Sequence, residues 1–477
     1  MKVLYKKVIR VKNRIIAFCL LPIAFCLLPT ANCFSQTIAA SSAHSLAVCS
    51  DNTARAWGLN AYGQLGNGTT TNSNAPVQVS ALSGVIAIAG GEQHAIALKS
   101  DGMVWAWGRN SLGMLGNGTT IDSHVPVQVS LLSGAIAIAA GRYHSLALKN
   151  DSTVWVWGSN VSGELGNGTT VNSNVPIQVS GLSGAIAVSG GFHYSLALMQ
   201  DGTVWAWGGN GQGQFGNGNN TGSTIPLLIN SLTGITAISG GFDFSLFLKN
   251  DSTVWACGYN GNGQLGNGTT TSSNVPVQVS GLSGVLAIAD GNYHSIALKQ
   301  DGTVWTWGEN FTGQLGNGTT TDSNVPVQMN SLTGVTAIAA GNRHTLALKN
   351  NGTLWGCGEN FYGQLGNGNN TNSSVPVQTT GLCQVLEVNE ITVPILSASV
   401  YPNPFTDILS ITIEKQNINQ TTFTIKNILG EIIFSKKENN LSSAYTKTLD
   451  LRNFSRGVYL LDVVMDGDRI VRKIVKQ

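Results

Sequence analysis

Charge is what this sequence holds least of. Asp, Glu, Lys and Arg together make up 10% of its 477 residues. Low charge beside 42% hydrophobic residues excludes a chain kept disordered by its own charge. Between 15 and 393, nine bases face 16 acids, a balance of −7 with no run of either sign. Phosphate backbones need clustered Lys and Arg, so no nucleic-acid partner is expected. Long apolar runs are as scarce. Ile15 to Leu28 is interrupted by Pro22 and followed by Pro29, which is too short and broken to span a bilayer. No transmembrane helix is therefore expected in the mature chain. Catalytic chemistry is missing too. No acid pair, nucleophile–base arrangement or metal-spaced cluster stands once and outside the repeats described below, as an active site should. No enzymatic activity, metal or cofactor is expected.

What the N-terminus does hold is six bases within 14 residues, then the apolar run, then small and polar residues. This is the pattern of a secretory signal over 1–36, cleaved near Gln36. Lipidation at Cys33 is an alternative that Asn32 disfavours. Cys49, Cys257, Cys357 and Cys383 remain after cleavage, in a compartment where disulfides form.

Glycine is abundant, with 58 residues, and its placement is periodic. Gly-x-x-Gly-Asn-Gly begins at Gly63, Gly113, Gly163, Gly213, Gly263, Gly313 and Gly363. Trp-Gly recurs at Trp57, Trp107, Trp157, Trp207 and Trp307, with Cys257 and Cys357 in the same slot. Seven copies thus run from about 37 to 388. Within one copy, Val85 to Ala89, His94 to Leu98, Met103 to Trp107 and Val125 to Val129 read as short strands. Asp101-Gly102 marks a tight turn, and Pro126 suits an edge strand. Four strands taken seven times predict an all-β, seven-bladed β-propeller whose blades bury their faces only against neighbours. Trp105 and Trp107 fall on one strand face and are expected to pack between blades. Gly-Gln-Leu-Gly-Asn-Gly lacks the Lys-Ser/Thr ending of a phosphate loop and reads as a turn. The recurring His44, His94, His144, His294 and His344 sit on separate blades, so they are read as hydrogen-bonding residues rather than metal ligands.

The unit His-Ser-Leu-Ala-Leu-Lys-x-Asp-Gly-Thr-Val-Trp-Ala-Trp-Gly-x-Asn-x-x-Gly-Gln-Leu-Gly-Asn-Gly resembles the repeat of the regulator of chromosome condensation family. The resemblance implies the seven-bladed propeller. Nucleotide exchange on a small nuclear GTPase, the best-known activity in that family, is not carried over. It relies on a wedge inserted between blades, and here the spacing stays at 50 residues without insertion.

A propeller is closed by joining its two ends. Val385-Leu386-Glu387-Val388 aligns with Val85-Ile86-Ala87-Ile88 and is expected to supply or complete the first strand of blade 1. Cys383 would then lie beside Cys49, either as a disulfide stapling the ring or as two free thiols. Comparison among the repeats places their variation in two stretches, before the His-Ser strand and after Trp-Gly. The first holds Glu92, Arg142, Tyr143, Phe192, His193, Phe242, Asp243, Tyr293 and Arg343. The second holds Arg109, Tyr259, Phe311, Phe361 and Tyr362. Hairpin pairing puts both on one rim, and aromatics with Arg are the residues of binding hot spots. Drift in unconstrained loops is the alternative, but it would favour Ser, Asn and Lys.

The period stops near 390, and a linker over 389–398 leads to a module over 399–477. Its alternating short strands predict a small Ig-like β-sandwich. The module resembles the type A sorting domain of the type IX secretion system of Bacteroidetes. The resemblance rests on Tyr401-Pro402-Asn403-Pro404, Gly430, Gly457, Tyr459 and the basic tail Lys473 to Lys476. It implies export across the outer membrane. Together these features describe a monomeric secreted or cell-surface protein that binds an extracellular protein or surface polymer. An adhesion or matrix repeat protein, and a hydrolase with its site in the channel, are the alternatives.

Overall fold

The computed structural model describes residues 38–383 and 397–477, apart from 415–417, 428–429, 442–443 and 466–467. The expected signal segment 1–36, the strand expected over 385–388 and most of the expected linker lie outside the described residues. The chain divides into two compact units between Cys383 and Gln384.

The first unit contains seven four-stranded antiparallel sheets. Blade 1 is β1 (Ile38–Ala40), β2 (His44–Val48), β3 (Ala54–Gly58) and β4 (Ser73–Gln78). Blade 2 is β5 (Val85–Gly90), β6 (His94–Lys99), β7 (Val104–Gly108) and β8 (Ser123–Gln128). Each strand pairs with the next in sequence, and the other five blades repeat this at 50-residue steps. The fourth strand begins earlier than the Val125 expected. Its place on the sheet edge explains how Pro126 sits inside it, since no ladder donor is lost there.

Blades join through one recurring contact. Trp107 of blade 2 is fully buried among Leu46, Val48, Leu65 and Val79 of blade 1. Its indole N–H donates to the Gln64 carbonyl at 2.9 Å. On blade 3, Trp157 Nε1 and Ser145 Oγ both donate to the Met114 carbonyl, at 2.7 and 3.0 Å. Trp207 and Ser195 do the same to Glu164, and Trp307 and Ser295 to Gln264. In blades 5 and 7 the buried thiols of Cys257 and Cys357 stand in for the indole, 3.3 and 3.4 Å from the carbonyls of Gln214 and Gln314. Burial raises both thiol pKa values, that of Cys357 to about 12.

The Gly-x-x-Gly step makes room for this contact. Gly66 has φ +64°, and a Cβ there would stand 2.8 Å from Trp107 Nε1. At Gly63, with φ +77°, a Cβ would stand 2.6 Å from His124 Cα of the next blade. The motif is a turn and also the seat of its neighbour.

A second layer of bonds runs beneath. His94 Nε2 lies 2.9 Å from Ser145 Oγ, and His144 Nε2 lies 2.9 Å from Ser195 Oγ. Those hydroxyls already donate to carbonyls, so the ring nitrogen is the donor. Tyr194 replaces histidine in blade 4 and reaches Ser245 Oγ at 2.9 Å. Burial drives the pKa of His44, His94, His294 and His344 down to about 3, and that of His144 to about 4.

Blade 7 meets blade 1 by the same rules. Ser45 Oγ and Trp57 Nε1 donate to the Gln364 carbonyl at 2.7 and 2.8 Å, and Ser45 Oγ takes a bond from His344. A disulfide joins Cys49 to Cys383, with Cα atoms 5.7 Å apart across a sequence separation of 334. Closing so long a loop contributes about 3–5 kcal/mol. By the 50-residue period the three residues of β1 are the equivalents of the last three of β5.

The second unit is a sandwich. One sheet pairs Ser397–Tyr401, Ile408–Glu414 and Ala444–Asp450; the other orders Ile432–Leu441, Ile418–Lys426, Gly457–Met465 and Asp468–Lys476. Alternate residues such as Leu409, Ile411, Phe423, Ile425, Leu461 and Val463 meet in its core, as the two-residue period of a strand requires.

The buried histidines generate a prediction. Their folded-state pKa values are depressed below the unfolded value of about 6.5. Their stabilisation is therefore complete above that pH and lost as pH falls. Each takes up a proton on unfolding, worth up to about 1.4 kcal/mol per pH unit in that window. Asp243 and Asp290, raised by burial to about 6 and about 7, and Glu359, also raised by burial, act in the opposite sense, but five histidines outweigh three carboxyls. Guanidinium unfolding should show stability falling steadily from pH 6.5 to 4.5. A flat profile there would contradict neutral buried rings.

Candidate functional site: one rim of the propeller

In each blade the second and third strands pair so that the residue before one and the residue after the other are neighbours. In blade 2, His94 faces Gly108, and Arg109 N donates to the Gln93 carbonyl at 2.8 Å. The two variable stretches therefore emerge together on one rim. Inside it, the ends of the seven first strands surround a cavity of about 210 Å³ lined partly by Glu92, Arg142, Phe192 and Phe242.

A continuous run of rings and guanidiniums follows the rim. The Arg109 guanidinium lies 5.1 Å from the Tyr62 ring and 5.9 Å from the Tyr143 ring. Arg142 stacks over Tyr143 at 4.6 Å and Phe192 at 3.9 Å, while pairing with Glu92. The Phe192 and Phe242 centroids are 3.7 Å apart, Phe242 and Tyr293 5.2 Å, and Tyr293 and Tyr259 6.5 Å. Such contacts favour offset or edge geometries and hold rings in place.

The remaining expected residues sit beside this run. His193 Nδ1 lies 2.9 Å from Glu164 Oε1, and Gln214 Nε2 donates to Asp243 at 3.2 Å. Burial lifts the Asp243 pKa to about 6 against the opposing pull of His193. Arg343 makes a two-pronged pair with Glu309 at 2.9 and 3.1 Å. Phe361 and Tyr362 form their own edge-on pair. Phe311 and Phe361 are 73% and 67% exposed, so their rings project into solvent.

Two residues of interest were not singled out from the sequence: Glu164 stands where most repeats have Gln, and Asp290 where the others have Gly or Ala. Each is the one acid in a column that otherwise holds Gln or Met, or Gly or Ala, a signal present in the repeats themselves. Asn342, in the first variable stretch, lines the cavity. Among the described residues no three His, Cys, Asp or Glu side chains gather to hold a metal, and no helix is long and apolar enough to cross a membrane.

In the sandwich, the Tyr401-to-Pro404 stretch is laced to the C-terminal strand. Asn403 Nδ2 donates to the Lys473 carbonyl at 2.8 Å, and its Oδ1 accepts from Val475 N at 2.9 Å. Phe405 N donates to the Val475 carbonyl. Lys476 is 7% exposed and donates to the Leu451 carbonyl at 2.6 Å, whereas Lys473 is exposed. Tyr459 donates its hydroxyl to the Ser455 carbonyl, and Gly430 turns the chain at φ +85°.

Seven four-stranded sheets built on a 50-residue repeat define a β-propeller of seven blades, followed by an export module. A model described as the RCC1-like domain matches residues 136–394, and the chain belongs to that family. Models of the regulator of chromosome condensation repeat match 56–98 and 101–148, and also 36–64 and 85–113. A secretion-system C-terminal sorting domain matches 399–477; this module marks the chain for export by the type IX route. No curated protein sequence matches. Prp20p of Saccharomyces cerevisiae is 21% identical, with TM-score 0.64 over 73% of this chain and 88% of its own. Human WBSCR16 is 24% identical, with TM-score 0.64 over 69% and 94%. Yeast RCC1 (Prp20) bound to Kap60 is 20% identical, with TM-score 0.65 over 80% and 92%. These likenesses establish the fold.

Proposed function

We propose that the propeller is an exported binding module that holds an extracellular protein or surface polymer on the rim described above. The observation carrying this reading is the unbroken run of rings and guanidiniums from Tyr62 to Tyr293. These side chains lie on the variable positions, while the frame beneath them is constant. Stacked Tyr, Phe and Arg give large contact area at little cost in side-chain freedom, the composition of hot spots. Yeast Prp20p, a relative in fold, binds Gsp1p, histones and Kap60, so propellers of this kind do serve protein contacts. The sorting domain carries the module to the partner's compartment.

The test needs the partner, captured from the organism's surroundings on the purified chain. Replacing Tyr143, Phe192, Phe242 and Tyr293 together by Ala should then weaken binding at least about a hundredfold, as loss of two or more hot-spot residues does, with the melting temperature little changed. Equal binding by this variant would instead favour an adhesive or matrix role. For export, deleting 399–477 should trap the protein in the periplasm. Undiminished appearance in the medium would contradict the sorting role.

A further inference from the structure

The turn joining the second and third strands of a blade lies at the far end of those strands from the variable rim. Beside it most blades hold a lysine against a half-buried tryptophan, and blade 3 shows the arrangement. Lys149 Nζ lies 3.7 Å from Asp151 Oδ2 and 5.4 Å from the centre of the Trp155 ring. One ammonium is thus held by a carboxylate and an aromatic ring together. Lys249 and Lys299 lie over Trp255 and Trp305 at 5.3 and 5.6 Å. After the bonds from Thr253 and Thr303, their charge helps lower the pKa of Asp251 and Asp301.

Blade 4 keeps the partners and changes the cation. Asp201, Thr203 and Trp205 stand at their usual places, but Met199 replaces the lysine of five other blades. A Cβ on Gly184 would stand 4.0 Å from Met199 Cε, as Cβ atoms on Gly84 and Gly284 would stand 3.6 and 3.9 Å from Lys99 Cε and Lys299 Cε. The methionine therefore follows the lysine's path and ends one atom short of the ammonium. A second departure falls in the same place. Leu228, 39% exposed, pairs with Trp205 across the sheet where the other six blades have Gln. Met199, Asp201, Trp205 and Leu228 line one open groove of about 400 Å³. Asp201 is exposed, and it is the only charged residue lining that groove.

We propose that this groove takes a lysine side chain from a partner protein, its ammonium between Asp201 and Trp205 and its methylene stem along Met199 and Leu228. The sister blades supply the template, since their own ammonium sits against the same pair of groups. A cation over a tryptophan ring is attracted by the ring's negative face, and lysine lays its stem on apolar surface while its head stays in water. Thr203 N and Oγ1 both donate to Asp201 Oδ1, at 3.0 and 2.7 Å. That engages one oxygen and leaves Oδ2, the atom that takes the lysine in blade 3. A guanidinium grips a carboxylate through both oxygens, whereas an ammonium donates from a single point. The groove is separate from the variable rim, and its failure would leave the rim reading standing.

Nα-acetyl-lysine-N-methylamide is a suitable probe, titrated into the full chain and read by the indole N–H NMR signal of Trp205. A saturable shift is expected. The same compound acetylated on Nε keeps the stem and loses the charge, and should bind about tenfold more weakly, as loss of a ring contact and an exposed ion pair implies. Asp201→Asn, which introduces the residue blade 7 carries at Asn351, should keep the fold and bind about twofold to fivefold more weakly. Met199→Lys should supply the ammonium from within and abolish the shift. No saturation in the parent chain, equal binding of the Nε-acetylated compound, or undiminished binding by Met199→Lys would each overturn the site.

Discussion

One main-chain carbonyl per blade carries this fold. At Met114, Glu164, Gln264 and Gln364 that oxygen accepts both an indole N–H and a serine hydroxyl from the next blade. A blade's sheet is satisfied by its own ladder, but its faces are not, and they are buried only by a neighbour. The shared carbonyl fixes how that neighbour sits. The glycines clear its path, and the tryptophan fills the gap with a large apolar surface. Because the contact is repeated from blade 7 to blade 1, the ring has no free face. The Cys49–Cys383 bond adds a covalent closure at the same joint.

That constraint divides the sequence into two kinds of position. Residues that form the joint vary only within narrow limits, Trp giving way to a buried Cys in blades 5 and 7 and Ser to Thr345 or Ala95, while the glycines recur at fixed steps. Residues at the loop tips above the joint are released from it. They have become Tyr, Phe and Arg that touch one another from blade to blade. The joint therefore does more than stabilise. It sets the spacing at which Arg142, Phe192, Phe242 and Tyr293 stack, and so holds these side chains of the rim in one arrangement.

Much of this was legible because seven near-copies act as their own alignment. Strand alternation, the turn glycines and the Trp slot all follow from the 50-residue period. What stayed hidden depends on contacts between copies. Nothing in Gly63 to Gly66 announces that the next blade's backbone and indole lie above them; the motif reads as a turn until the neighbour is in place. Pro126 marks its strand as an edge strand in the sequence, but not that the strand begins at Ser123, ahead of the proline. Lys476 reads as part of a basic tail, yet its ammonium is capped by the Leu451 carbonyl. Glu164 and Asp290 are visible in the repeats as the one acid in each of their columns, but their contacts, with His193 and with Ser239, appear only in the fold.

Hydrogen exchange on the single variants Trp157→Phe and Ser145→Ala tests the shared-carbonyl joint most directly. Each removes one of the two donors to Met114. The account predicts that each lowers stability by about 1–3 kcal/mol, the cost of a lost buried hydrogen bond, and that amide protection falls in all seven blades together, because a closed ring opens as one unit. Unchanged stability, or protection lost only in blades 2 and 3, would contradict it.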